Sequence, residues 1–270
     1  MRTAARRLPV RRTGILFFAA LLSLLSVSAA LALDPTGQPP GVTDEANTMH
    51  NLYLFVTILA LAVGIPVEAA LVFMIFRFRK KSDDLPPQIH GNNVLEIIWT
   101  AIPMILVITL FVASFIVLID VEEDAPDDAL TVDVEGFRFS WTFTYNLNDL
   151  GPNRSEPDSE ETFSFTGSAA QEPTLVIPIG ETVEFALHSP DVIHSFYVRD
   201  FLYKLDVVPG RDNRFAVKAN KLGTFEAQCA ELCGIDHGIM RFKVQIVTAE
   251  EFDTWVAEQR AEAEQSAQRP

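Results

Sequence analysis

The sequence predicts a two-helix transmembrane hairpin, then an all-β Greek-key sandwich or barrel, then a short C-terminal helix. Three observations carry this reading. Two apolar runs are each long enough to cross a bilayer, a series of short strand patterns separated by turn signals follows, and a helix-capping pattern opens at Thr248. The 270 residues are 49% hydrophobic with a mean hydropathy of +0.19, yet carry a formal charge of −15. Acidic chains of uniform composition are poor in apolar residues, so here the two classes must occupy different stretches. Residues 120–270 hold 29 acids against 12 bases, while residues 1–119 hold 7 against 9. Such a balance excludes nucleic acid as a partner, because phosphate binding needs a basic face. With two cysteines, Cys229 and Cys233, the chain is not a disulfide scaffold.

Residues 1–13 carry five arginines and no acid, and an apolar run from Gly14 to Leu33 ends in Ala30-Leu31-Ala32. A basic region, an apolar region and an A-x-A site predict a secretory signal over 1–32, cut after Ala32. An exported segment, 33–51, follows. Residues 52–76 and 94–119 are the two spans of a hairpin over 52–119; about 20 residues suffice for each. The loop between them, 77–93, holds Arg77, Arg79, Lys80 and Lys81, which places it on the cytoplasmic side. The chain then turns acidic at Asp120, so 120–247 is expected outside a bacterial cell membrane, on the periplasmic face.

In that outer part Val132 and Val134, then Phe137, Phe139, Trp141, Phe143 and Tyr145, recur at spacing two, the pattern of a strand with one buried face. Residues 146–173 are polar and rich in Gly, Pro and Ser, and are expected to form a loop. Strands are predicted at 174–179, 182–188, 193–198, 213–218, 223–228 and 239–247, with turns at Ser189-Pro190-Asp191 and Pro209-Gly210. Thr248-Ala249-Glu250-Glu251 is a capping box that opens the C-terminal helix and tail, 248–270.

The chemistry concentrates between Cys229 and Met240. This stretch holds two thiols, the imidazole of His237 and a thioether, and His194 ends an earlier strand pattern. Three readings compete. A Cys229–Cys233 disulfide suits an oxidising compartment but leaves His237 and Met240 unexplained. Structural zinc matches two Cys and two His but has no use for Met240. Copper suits thiolate, imidazole and a weak thioether together. A mononuclear blue site uses one thiolate, whereas two thiolates can bridge two copper ions and leave one imidazole for each. On that reading the site is binuclear and its coppers share one electron. His188 is the rival to His194 as upstream ligand.

The motif C-x-E-x-C-x3-H-x2-M, with Asp191-Val192-Ile193-His194-Ser195-Phe196 upstream, strongly resembles the cytochrome c oxidase subunit II family and its CuA centre. Lys204-Leu205-Asp206 and Pro209-Gly210-Arg211 also fit that family's pattern, and the resemblance spans nearly the whole chain. It implies a cupredoxin-like outer domain. It implies that Cys229 and Cys233 bridge two copper ions, that His194 and His237 bind one each, and that Met240 and the Glu231 carbonyl are weak ligands. The Glu231 side chain would reach a magnesium ion shared with subunit I. Glu96, near the start of the second span, would stand at the mouth of a proton pathway into subunit I. Phe139 stands where the family usually has a tryptophan for electron entry, followed by Trp141. Of the acids that dock cytochrome c, Asp191 matches, whereas Thr144 and Pro190 stand where acids are common.

The implied function is that of a membrane-anchored electron-transfer subunit. It would take electrons from cytochrome c, soluble or as a tethered domain, and pass them to heme in subunit I. There oxygen is reduced to water with proton translocation. Three alternatives share some of these features. A membrane-tethered copper-delivery module would have no need of Glu96 or Glu231. A quinol oxidase subunit II has lost the copper ligands, and nitrous oxide reductase carries a large further catalytic domain.

Overall fold

The computed structural model describes residues 37–80, 88, 90–127, 129–146, 162–168 and 172–267. The predicted signal over 1–32 and most of the 146–173 stretch lie outside the described residues.

Helix α1 (Asp44–Arg77) and helix α2 (Asn93–Val121) are long and apolar enough to cross a bilayer, with 34 and 29 residues. At about 1.5 Å per residue both exceed the hydrocarbon thickness of about 30 Å. Helix α1 starts eight residues before the apolar run. The Thr43 Oγ1 accepts the Ala46 N–H at 3.0 Å, and Asp44 and Glu45 fill the first turn, where a helix favours negative charge. These first residues are also tied to the β domain. Val42 donates to the Asp200 carbonyl at 3.2 Å and accepts from Asn220 at 2.9 Å, while Thr43 bridges Ala219. Helix α2 is capped by Asn92, whose Oδ1 accepts from the Val94 and Leu95 N–H groups, both at 3.1 Å.

Among the described residues ten strands follow: β1 (Leu130–Phe137), β2 (Ser140–Asn146), β3 (Thr162–Thr166), β4 (Thr174–Pro178), β5 (Thr182–His188), β6 (His194–Val198), β7 (Tyr203–Val207), β8 (Asn213–Lys218), β9 (Gly223–Cys229) and β10 (Arg241–Val247). They form two five-stranded sheets, ordered β3-β2-β1-β5-β8 and β4-β10-β9-β6-β7, facing each other as a sandwich. Each sheet is mixed: β1 runs parallel to β5 and β4 parallel to β10, while the other pairs are antiparallel. Helix α3 (Ala249–Ala267) ends the chain. Its capping box forms as expected, Glu251 Oε2 accepting the Thr248 N–H at 2.9 Å and Thr248 Oγ1 accepting the Glu251 N–H at 3.2 Å.

Three expectations change. The single strand read over 132–145 is a hairpin, β1 and β2 paired from Val132↔Tyr145 to Phe137↔Ser140 with Arg138-Phe139 as its turn. The apolar positions are even up to Val134 and odd from Phe137, and a strand that keeps one face buried changes parity only at a turn or a bulge, here the turn. Residues 162–166 form β3 within the stretch read as loop, because Phe163 and Phe165 alternate with polar residues and cover Tyr145. The sequence reading also passed over β7, an edge strand with one fully buried residue, Val207.

The interior between the sheets is aromatic. Phe242 of β10 packs against Trp141 at 5.2 Å, Phe143 at 5.5 Å and Phe196 at 4.8 Å between ring centroids. At one end of this column lie His194 and Cys229.

Candidate metal centre

Strands β6 and β9 are neighbours, with Phe196 opposite Cys229, so the start of β6 and the end of β9 bring His194 beside Cys229. The chain then loops from Ala230 to Met240 and returns as β10. Backbone bonds close the base of this loop: Cys229 N–H to the Met240 carbonyl at 2.9 Å, and Ala230 N–H to the Ser195 carbonyl at 3.0 Å. A 3-10 turn, His237–Ile239, presents His237, and Met240 enters β10 almost fully buried.

The side chains converge. Cys229 Sγ lies 4.0 Å from Cys233 Sγ and 3.9 Å from His194 Nδ1. Cys233 Sγ lies 3.6 Å from His237 Nδ1 and 3.8 Å from Met240 Sδ. The Cys229 thiol donates to the Glu231 carbonyl at 3.3 Å. A disulfide has an S–S bond of about 2.05 Å, so both cysteines are free. The ligand atoms of His194, Cys229 and Cys233 lie within 4.8 Å of one another in a buried site. That is close enough for an ion to contact several at bond lengths of about 2.0–2.3 Å.

The electrostatics favour a cation here. Burial pushes the Cys229 thiol up, but hydrogen bonding to His194 and to nearby backbone outweighs it and brings the pKa down to about 7. Burial and the neighbouring Cys229 charge raise Cys233 to about 11. The first proton leaves near neutrality, and the second leaves readily only when positive charge arrives, as thiolate metal sites require. Burial works against a charged His194, yet its bonds to Cys229 and Asp191 raise its pKa. Two thiols, two imidazoles, a thioether and a backbone carbonyl therefore converge as a soft donor set, which fits copper.

His194 is held from behind. Its Nε2 lies 2.9 Å from Asp191 Oδ1, so the carboxylate accepts the Nε2 proton's hydrogen bond and orients Nδ1 towards the sulfur. Asp191 Oδ1 also accepts the Val192 N–H at 2.6 Å, and Oδ2 accepts the Arg138 N–H at 2.9 Å. Burial would raise the Asp191 carboxyl; its bonds to His194, Arg138 and Val192 hold it far below the usual carboxylate range. Both of its oxygens are engaged and its side chain is only 20% exposed. Asp191 thus stands half-buried behind His194, with part of its surface open to solvent.

Trp141 is wholly buried, its ring centroid 6.3 Å from that of His194. Of the two rings expected at electron entry, Trp141 therefore lies in the core and Phe139 lies nearer the surface. Gly136 makes room for the indole, since a β-carbon there would fall 2.8 Å from Trp141 Cζ3 and 3.4 Å from the His194 Cβ. Phe139 is half-buried at the hairpin turn and packs on Gly234 of the ligand loop. The Glu231 side chain is exposed. Glu96 Oε1 accepts the Asn92 N–H at 3.3 Å, so its carboxylate folds back over the start of α2. His188 lies outside the cluster, its ring nitrogens 3.0 Å from Asp212 Oδ1 and 3.3 Å from Asp133 Oδ1. Sequence reasoning passed over Arg138 and Gly234. The parity change beside Arg138 was the one available signal.

A membrane-anchored protein whose β-sandwich closes on a Cys/His/Met cluster of this kind is a copper-binding cupredoxin. Residues 130–247 match the family profile for the periplasmic domain of cytochrome c oxidase subunit II, and residues 30–117 match its transmembrane domain. A probable cytochrome c oxidase subunit 2 of Rickettsia felis is 34% identical over 88% of this chain and 78% of its own length. The cytochrome c oxidase subunit 2 of Alkalihalophilus pseudofirmus is 35% identical over 98% of this chain and 71% of its own. The crystal structure of the periplasmic domain of Bradyrhizobium japonicum oxidase subunit II aligns with a TM-score of 0.42 at 29% identity, over 52% of this chain and 99% of that one. The chain belongs to the cytochrome c oxidase subunit II family. It is a respiratory electron-transport subunit of a heme-copper oxidase, with two membrane-spanning helices and a periplasmic domain.

Proposed function

We propose that the cluster is a binuclear CuA centre taking electrons from cytochrome c, or from a tethered cytochrome c domain, for transfer to heme in subunit I. When bound, the copper pair supplies a one-electron couple spread over two ions. Cys229 and Cys233 would bridge the ions, His194 and His237 would hold one each, and Met240 and the Glu231 carbonyl would be weak ligands. The observation that carries the reading is the approach of two free thiols to 4.0 Å between two imidazole Nδ1 atoms.

The chain's own contribution is to keep that donor set fixed. The bonds from Cys229 to Met240 and from Ala230 to Ser195 lock both ends of the ligand loop to strands. Asp191 orients His194, while Trp141 and Met240 keep water from the inner side. A ligand set that moves little between redox states lowers the reorganisation accompanying electron transfer. The exposed Glu231 carboxylate is assigned to a magnesium ion shared with subunit I, and Phe139 to electron entry at the surface. Glu96 is assigned to proton entry at the cytoplasmic face, where oxygen reduction and proton translocation in subunit I would draw protons. Residues 1–32 are assigned to a signal removed on export through a bacterial cell membrane. The remaining divisions are 33–51 outside, 52–119 as hairpin, 120–247 as copper domain and 248–270 as C-terminal helix and tail.

Electron paramagnetic resonance of the copper-loaded full-length protein tests the centre. The expected result is a mixed-valence signal with hyperfine splitting from two equivalent coppers, at two coppers per chain. A single-copper blue spectrum, or zinc alone, overturns it.

A further inference from the structure

The hairpin turn Arg138-Phe139 touches both halves of the ligand set, and the sequence motif includes neither residue. Towards the upstream half, the Arg138 N–H donates to Asp191 Oδ2 at 2.9 Å, and its Nε lies 3.2 Å from the same oxygen. The other oxygen of that carboxylate is 2.9 Å from His194 Nε2. Towards the downstream half, the Arg138 Cδ and the Phe139 ring both lie against Gly234, between Cys233 and His237. Guanidinium, carboxylate and imidazole thus form one chain that ends at the Nδ1 facing the thiols.

We propose that Arg138 is a positioning residue of the copper centre, holding the Asp191 carboxylate against His194 and limiting the charge it passes to the imidazole. The inference rests on the copper reading above. Its physical basis is the sharing of one carboxylate. An unpaired Asp191 would draw the Nε2 proton more strongly and make His194 a stronger donor through Nδ1. A guanidinium on the far oxygen withdraws part of that charge. Half-exposed ion pairs add little to stability, because solvent screens them. Folding therefore gains little from the Arg138 side chain, which is 51% exposed. The consequence falls on the metal, because partners behind a ligating imidazole tune its basicity and alter metal affinity by about 10–100-fold.

The variants separate charge from structure, because any residue at 138 except proline keeps the backbone N–H bond to Asp191. In the full-length holoprotein, Arg138→Met removes only the guanidinium and is expected to lower the reduction potential of the centre. Arg138→Lys, which restores a cation, returns it most of the way. Asp191→Asn is expected to shift the potential upward. In the Asp191→Asn background the Arg138→Met shift should fall below half its original size, since the effect passes through the carboxylate. Optical redox titration gives the potentials. Nitrogen hyperfine coupling of His194 should move with Arg138→Met, and a merely structural contact would not move it.

An unchanged potential in Arg138→Met overturns the inference, as does a shift of equal size in the Asp191→Asn background, which would mean a direct field effect. If the unmodified protein lacks the two-copper signal, the copper reading itself fails. If that signal is present and the variants leave its potential and couplings unmoved, this inference fails alone.

Discussion

The Phe139 ring occupies the space that a side chain on Gly234 would need. A β-carbon at Gly234 would fall 2.8 Å from Phe139 Cε1 and 2.9 Å from Cζ, and the residue holds φ at +145°. Both the contact and the backbone angle demand glycine. Residues forced into such regions cost about 1–3 kcal/mol. Gly234→Ala is therefore expected to loosen the loop between Cys233 and His237 and to speed copper loss to a chelator. Combining it with Phe139→Ala removes the clash but leaves the backbone cost, so copper retention should recover only in part. Full recovery would show that the backbone angle is without consequence.

The Tyr145 hydroxyl joins the two sheets. It donates to the Val176 carbonyl at 2.7 Å and accepts the Val176 N–H at 2.9 Å, so one side chain of β2 completes the backbone of β4. Burial raises the pKa of this hydroxyl far above that of a free tyrosine, and it stays protonated throughout. Tyr145→Phe leaves a buried donor and a buried acceptor unpaired, at a cost of about 1–3 kcal/mol. Thermal unfolding of the full-length protein should shift downward while the spectrum of the metal centre stays unchanged. A change in that spectrum would mean that the sandwich transmits strain to the site.

Residues whose signal is local were legible before any coordinates. The two spans are long apolar runs, and the capping box at Thr248 is a four-residue pattern whose partners meet as expected. The ligands from Cys229 to Met240 sit on one loop, so their proximity is nearly a property of the sequence. What was not legible depends on pairing between distant strands. Arg138 and Asp191 are 53 residues apart and meet only because the hairpin turn and the segment before β6 lie at the same end of the sandwich. Trp141 and Phe139 share one parity, and periodicity gave both the same face. The turn between Phe137 and Ser140 leaves Phe139 at the surface, while Trp141, one residue into β2, is fully buried. The edge strand β7 alternates apolar and polar residues, and Tyr203 and Leu205 pack on the core, so its signal was present in the sequence and was passed over.

His188 joins three parts of the outer sheet surface through Asp133 of β1 and Asp212 of the β7–β8 turn. Burial disfavours its charge, but hydrogen bonds and attraction from Asp212 and Asp133 prevail and raise its pKa. A group with a raised folded pKa gives stability that is fully present below its unfolded pKa. That stability is lost as pH rises through the folded value. His188→Gln should therefore lower the thermal midpoint near pH 5.5, below the usual histidine pKa of about 6.5, and matter less near pH 8.5. Equal destabilisation at both values would mean that the imidazole acts as a neutral hydrogen-bonding group. The ring is about one-third exposed, and solvent screening keeps the effect modest.

Around the ligand loop three apolar side chains face outward beside the exposed Glu231 and Asp236: Ile235 is 94% exposed, Leu232 78% and Ile193 45%. Asp191 differs from these two acids, because both of its oxygens are engaged by Arg138 and His194. Two contributions to donor binding can then be separated. On the proposed function, the excess of acids after residue 119 would attract a basic cytochrome at a distance, an effect that weakens with salt. Close contact near the site would rest on these exposed apolar side chains, whose burial is worth about 25 cal/mol per Å² and responds little to salt. Asp191→Asn should accordingly leave the ionic-strength slope of cytochrome c oxidation unchanged. Ile235→Ser should raise KM at every salt concentration without loss of copper. Steady-state turnover across a salt series, with copper content measured in parallel, decides the matter. A flattened slope in Asp191→Asn would return that carboxylate to the docking surface.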